Sequence, residues 1–145
     1  MSDNLKKAKA LLSGHTCVLC LGEKIKAFTE RGIAPALFLA ECGEELCGAA
    51  VADNVVGKAT ALLYAKIGVT QLYAKILSRR ALPILERYGI AFEYSELTEY
   101  IINRTKDGSC PMEAAVKDVD TPEEALAAVK KKLAELKDSD ADKRS

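Results

Sequence analysis

The chain has 145 residues, 49% of them apolar, which is enough for one packed domain followed by a short tail. Lysine plus arginine and aspartate plus glutamate each number 21, so the net charge is zero and no basic excess points to nucleic acid or an anionic membrane surface. Lys58, Lys66 and Lys75 interrupt the longest apolar stretches, so no membrane span is expected. The first seven residues lack the apolar core of a signal peptide, and a cytoplasmic protein is the expectation.

Asp3 or Asn4 can cap a first helix with Leu5, Ala8, Leu11 and Leu12 on one face, ended by Gly14. Thr16–Leu21 and Lys24–Thr29 read as strands joined at Gly22-Glu23. The five cysteines are expected as free thiols in a reducing compartment. Cys17 and Cys20, three apart on a strand, fall on opposite faces, which fits buried structural cysteines better than a redox or metal pair. Ile33–Glu41 reads as a helix that tolerates Pro35 in its first turn, with a loop from Cys42. Leu46–Ala52 reads as a buried strand. Asp53 or Asn54 is then expected to cap a helix through Lys66, stopped by Gly68.

Gln71–Leu77 reads as the next strand, and Ser78 as the cap of a helix ended by Gly89. Ile90–Tyr94 reads as a strand, followed by a short helical segment near Leu97–Ile102. Alternating strands and helices from Leu46 to Tyr94 predict parallel strands, and the preceding hairpin adds antiparallel ones. The expected fold is three-layer α/β/α with a mixed sheet of about five strands. Residues 1–119 form this domain. Residues 120–137 form a C-terminal amphipathic helix opened by the capping box Thr121-Pro-Glu-Glu124. Its stripe of Leu126, Val129, Leu133 and Leu136 suits docking on the domain or self-association into a homo-oligomer. Residues 138–145, charged and without a leucine, isoleucine, valine or aromatic residue, are expected to be a disordered tail.

The segment from Tyr100 to Glu113 concentrates Asn103, Arg104, Cys110 and Glu113. Pro111 suits a first helical position, which makes Cys110 the N-cap. There the unpaired N–H groups and the positive end of the helix dipole favour thiolate, so Cys110 is the candidate catalytic residue.

Val51-Ala-Asp-Asn-Val-Val-Gly-Lys-Ala-Thr-Ala-Leu-Leu-Tyr64, Tyr73–Ser78, Ile101–Arg104 and Cys110–Glu113 together resemble the domain-of-unknown-function family 1893. The resemblance implies a cytidine-deaminase-like fold. It does not extend to the zinc site of true deaminases, which place His or Cys-x-Glu at one helix start and Pro-Cys-x-x-Cys at the next. Here those starts read Asp53-Asn-Val and Ser78-Arg-Arg-Ala81, and His15, the one histidine, lies near the N-terminal helix. No metal, no cofactor and no zinc-dependent deamination are expected.

Ligands of such sheets bind outside the carboxyl ends of the strands, where helices begin. That rule points to Asp53, Asn54, Gly57, Lys58 and Ser78. Lys58 opposes the positive end of its helix dipole, so an acidic partner such as Asp53 or Glu113, or a bound anion, is expected to compensate it. Asn103, Arg104 and Glu113 are the candidate residues of an opposite wall. Three readings follow: a binding module for a small anionic or nucleotide-like ligand, a cysteine-dependent enzyme built on Cys110, or a structural, oligomer-forming protein.

Overall fold

The computed structural model describes residues 3–30, 33–42, 45–99 and 115–144. The chain opens with helix α1 (Asp3–Leu11), then strands β1 (Cys17–Leu21) and β2 (Lys24–Phe28). Helix α2 (Ala34–Glu41) follows, then β3 (Ala50–Val56), α3 (Lys58–Ile67) and β4 (Gln71–Ser78). A 3₁₀ turn (Arg79–Ala81) leads into α4 (Leu82–Arg87), then β5 (Ala91–Thr98) and a final helix, α5 (Pro122–Arg144).

The five strands form one sheet in the order β2-β1-β3-β4-β5. β1 is antiparallel to both β2 and β3, while β3, β4 and β5 run parallel. This is the mixed α/β sheet expected from the residue pattern. Period-two alternation explains the layering. Val18, Cys20 and Ala52 turn to one face, where Ala8 of α1 and Leu12 just beyond its end cover them. Cys17, Leu19, Val51, Leu72 and Ala74 turn to the other, into the main core with Leu39, Leu62, Leu63, Leu85 and Val129 from α2, α3, α4 and α5. Cys17 and Cys20 thus lie buried on opposite faces, as their spacing requires.

Several element boundaries differ from the sequence reading. Asp53 and Asn54 do not cap α3 but belong to β3, which starts at Ala50 rather than Leu46 and runs to Val56. The sheet ladder prevails over their capping tendency. Asp53 is in register with Cys17 on β1 and Ala74 on β4, and the Asn54 N–H donates to the Thr16 carbonyl at 3.1 Å. Gly57 becomes the N-cap of α3. Leu97, read as the start of a helical segment, instead extends β5, paired with Leu77. The parallel ladder to β4 keeps that stretch extended.

Ser78 caps as expected, its Oγ accepting from the Arg80 N–H at 3.2 Å at the start of the 3₁₀ turn. Thr121 does the same for α5, accepting from the Glu124 N–H at 3.3 Å. α5 runs to Arg144, past the 120–137 span expected from the sequence and into the stretch read there as a disordered tail. It docks on α3 with Ala125 and Val129 buried and a Lys66–Glu123 ion pair of 2.8 Å.

Candidate functional site

The parallel strands β3 and β4 both end at one edge of the sheet, and the chain turns there into α3 and into the 3₁₀ turn before α4. Gly57, in extended conformation, brings no side-chain oxygen to the first N–H groups of α3. Lys58 is the first helical residue. A cleft of about 400 Å³ opens at this corner, lined by Lys58, Arg80, Pro83, Ile84, Lys117 and Asp120. Lys58 Nζ donates to the Lys117 carbonyl at 3.1 Å, which ties the start of α3 to the segment before α5. Three basic residues and one aspartate therefore line a single cleft beside a helix N-terminus, and Pro83 and Ile84 supply an apolar wall. Ser78 lies fully buried under this corner, accepting from Arg80 N–H and donating to the Glu99 carbonyl at 3.4 Å. Its role is to shape the turn. Arg79 pairs with Glu99 at 2.7 Å, and Arg80 is the member of the Arg79-Arg80 pair that lines the cleft.

Asp53 and Asn54 are adjacent in a strand and so diverge. Asn54 lines a hollow of about 360 Å³ beside α1, together with Lys9, His15, Tyr73 and Lys75, and donates from its amide to the His15 carbonyl at 3.4 Å. His15 Nδ1 lies 2.9 Å from the Leu11 carbonyl, at the carboxyl end of α1, where a ring N–H satisfies an open helix acceptor. Asp53 turns into the main core and is only 6% exposed. The Tyr64 hydroxyl donates to its Oδ2 at 2.5 Å, and the Val55 N–H to its Oδ1 at 3.4 Å. Cys17 Sγ lies 3.3 Å from the same hydroxyl.

Burial dominates the acidity of this cluster. It pushes the Asp53 carboxyl up to about 7, against the opposing bonds from Tyr64 and from the Val55 and Asn54 N–H groups. The Cys17 thiol is pushed up by burial and then by neighbouring Asp53, and the Tyr64 hydroxyl by burial and then by Asp53 and Cys17. A thiol held protonated is a poor nucleophile, so Cys17 is a structural member of the cluster.

The structure thus brings Gly57, Lys58 and Ser78 to one corner, sends Asp53 beneath α3 and sends Asn54 to the opposite face. Asn103, Arg104, Cys110 and Glu113 lie outside the described residues. Arg80, Lys117 and Asp120 join the cleft without having been marked as site residues, and Tyr64 joins Asp53. One signal for Tyr64 was present in the sequence. A hydroxyl in the apolar run Val55–Ala65 must find a buried partner.

Among the described residues, no group of three or more His, Cys, Asp or Glu side chains could hold a metal ion.

The model of the domain of unknown function DUF1893, named TM1506, matches residues 7–133. Among solved structures, the DUF1893 family protein TM1506 from Thermotoga maritima superposes with a TM-score of 0.82 at 28% identity, over 91% of this chain and 92% of that one. The apo dCMP deaminase of cyanophage S-TIM5 matches with a TM-score of 0.44 at 12% identity, over 68% of this chain and all of that one. No curated protein matches the sequence. With a family match across most of its length and a related structure of the same architecture, the chain belongs to the DUF1893 family.

Proposed function

We propose that the protein binds a small anionic, nucleotide-like ligand in the cleft at the start of α3. The observation that carries this reading is the convergence of Lys58, Arg80 and Lys117 on one cleft at the carboxyl ends of β3 and β4. The amino end of α3 adds positive potential of its own, and Gly57 leaves room for a ligand to approach its N–H groups. Pro83 and Ile84 offer an apolar surface to the uncharged part of such a ligand.

A thermal-shift screen of inorganic phosphate, nucleoside monophosphates and phosphorylated sugars tests the reading. At least one compound raises Tm in the wild-type protein, and Lys58→Ala and Arg80→Ala each reduce that rise. A screen in which no compound stabilises the protein and Lys58→Ala changes nothing would sink the proposal.

A further inference from the structure

Three polar side chains from three elements meet in the core between the sheet and α3. Cys17 and Asp53 are register partners on β1 and β3, and Tyr64 reaches them from α3. The donor order follows the protonation of Asp53. When Asp53 is ionised, the single Tyr64 hydroxyl proton goes to it and the hydroxyl oxygen accepts from the Cys17 thiol; when Asp53 is protonated, its own proton can go to the hydroxyl oxygen and the hydroxyl proton to the Cys17 sulfur. Either way the three groups form one hydrogen-bonded chain that ends on Asp53.

Among the described residues no positive charge answers Asp53. Cys17 faces it from β1 and Tyr64 from α3, while its register partner on β4 is uncharged Ala74. The remaining donors are the Val55 and Asn54 N–H groups of its own strand. A carboxylate in this position is a buried charge without a counter-ion, and the core relieves that cost by admitting water. Asp53 lies between the sheet and α3, so water reaches a carboxylate there by parting the helix from the sheet. The same helix begins at Lys58.

We propose that Cys17, Tyr64 and Asp53 form a proton-controlled latch: protonated Asp53 holds α3 against the sheet, and loss of its proton loosens the helix that presents Lys58 to the cleft. The part of this proposal that concerns the cleft rests on the anion-binding reading above. The part that concerns α3 does not.

Hydrogen exchange on the full chain at pH 5 and pH 8, corrected for the intrinsic dependence on pH, reads the latch directly. In the wild-type protein, opening of the amides of residues 61–67 rises by about ten- to a hundredfold at pH 8. In Asp53→Asn, which leaves every other titratable group in place, it does not. No rise in wild-type, or an equal rise in Asp53→Asn, overturns the latch. Tyr64→Phe gives a second test should Asp53→Asn fail to fold. Removing the hydroxyl takes away a bond that favours ionised Asp53, so the rise moves to higher pH, and an unmoved rise overturns the proposed chain. Sulfate, whose charge is constant over this range, probes the cleft. Its affinity falls at pH 8 in wild-type and holds in Asp53→Asn. Sulfate binding that ignores pH breaks the link between latch and cleft. Sulfate that binds at neither pH, while the exchange difference persists, refutes the cleft reading and leaves the α3 latch standing.

Discussion

Asp53→Asn is expected to reverse its own effect on stability as pH changes. The carboxyl titrates near 3.8 in an unfolded chain and near 7 in the folded core. Between those values the folded state keeps a proton that the unfolded state releases. Stability therefore falls as pH rises, by about 1.4 kcal/mol per unit. The contribution is fully present below 3.8, is lost progressively up to about 7, and is constant above. Integrated across the window it comes to about 4 kcal/mol, of which roughly 2.5 kcal/mol is lost between pH 5 and pH 8. Asparagine keeps an acceptor for the Tyr64 hydroxyl but sets an NH₂ where a carboxyl oxygen stood, a change of about 1 kcal/mol. By pH 5 wild-type has already lost about 1.5 kcal/mol of this contribution, so the variant matches or slightly exceeds it there, leads by about 3 kcal/mol at pH 8, and is the less stable protein only below a crossover between about pH 4 and 5. Urea unfolding of both proteins at half-unit steps from pH 5 to pH 8 measures the difference, and subtraction removes the titration common to both. A difference that stays constant across this range would refute the reasoning, because it would mean that Asp53 is ionised in the folded core.

Other expectations follow from single positions. Iodoacetamide near neutral pH labels exposed Cys47 ahead of buried Cys17 and Cys20, which react only on unfolding; mass spectrometry of digests taken through time reads the order. If Cys110 is an activated nucleophile, the same experiment shows it labelled ahead of Cys47. Gly68→Ala destabilises by at least about 1–2 kcal/mol, since Gly68 closes α3 in the left-handed region and an added Cβ meets the Cys47 backbone at 3.0 Å. A lowered thermal midpoint checks it. Val129→Ala strips two methyl groups from the α5–α3 contact and costs about 2 kcal/mol, read by urea unfolding.

What could be read from the sequence was local. The β1–β2 turn is carried by Gly22, whose positive φ serves a two-residue hairpin, and its two strands lie within residues 17 to 28. The cap of α5 was legible for the same reason, since Thr121 and Glu124 lie within one turn. The β3–α3 boundary was not. Asp53-Asn54 carries a strong local signal for a helix start, and it was overruled by Thr16, Cys17 and Ala74, which lie far away in the chain. The cleft shows the same division. Lys58 stood out as a lysine in an apolar helix, whereas Lys117 and Asp120 join it only because the segment before α5 folds back across α3. The exposed charges around them gave no sign of that return.

β3 is the seam of the sheet, antiparallel to β1 on one side and parallel to β4 on the other. The hairpin on one flank closes a short loop, whereas joining β3 to β1 closes a much longer one and is the slower step. Until the seam closes, Asp53 is wetted and gives up its proton in any mildly acidic buffer. Folding in such a buffer thus ends with the uptake of one proton from solution. The heat of folding measured there depends on the ionisation enthalpy of the buffer, so a change of buffer at fixed pH counts the proton without touching the protein.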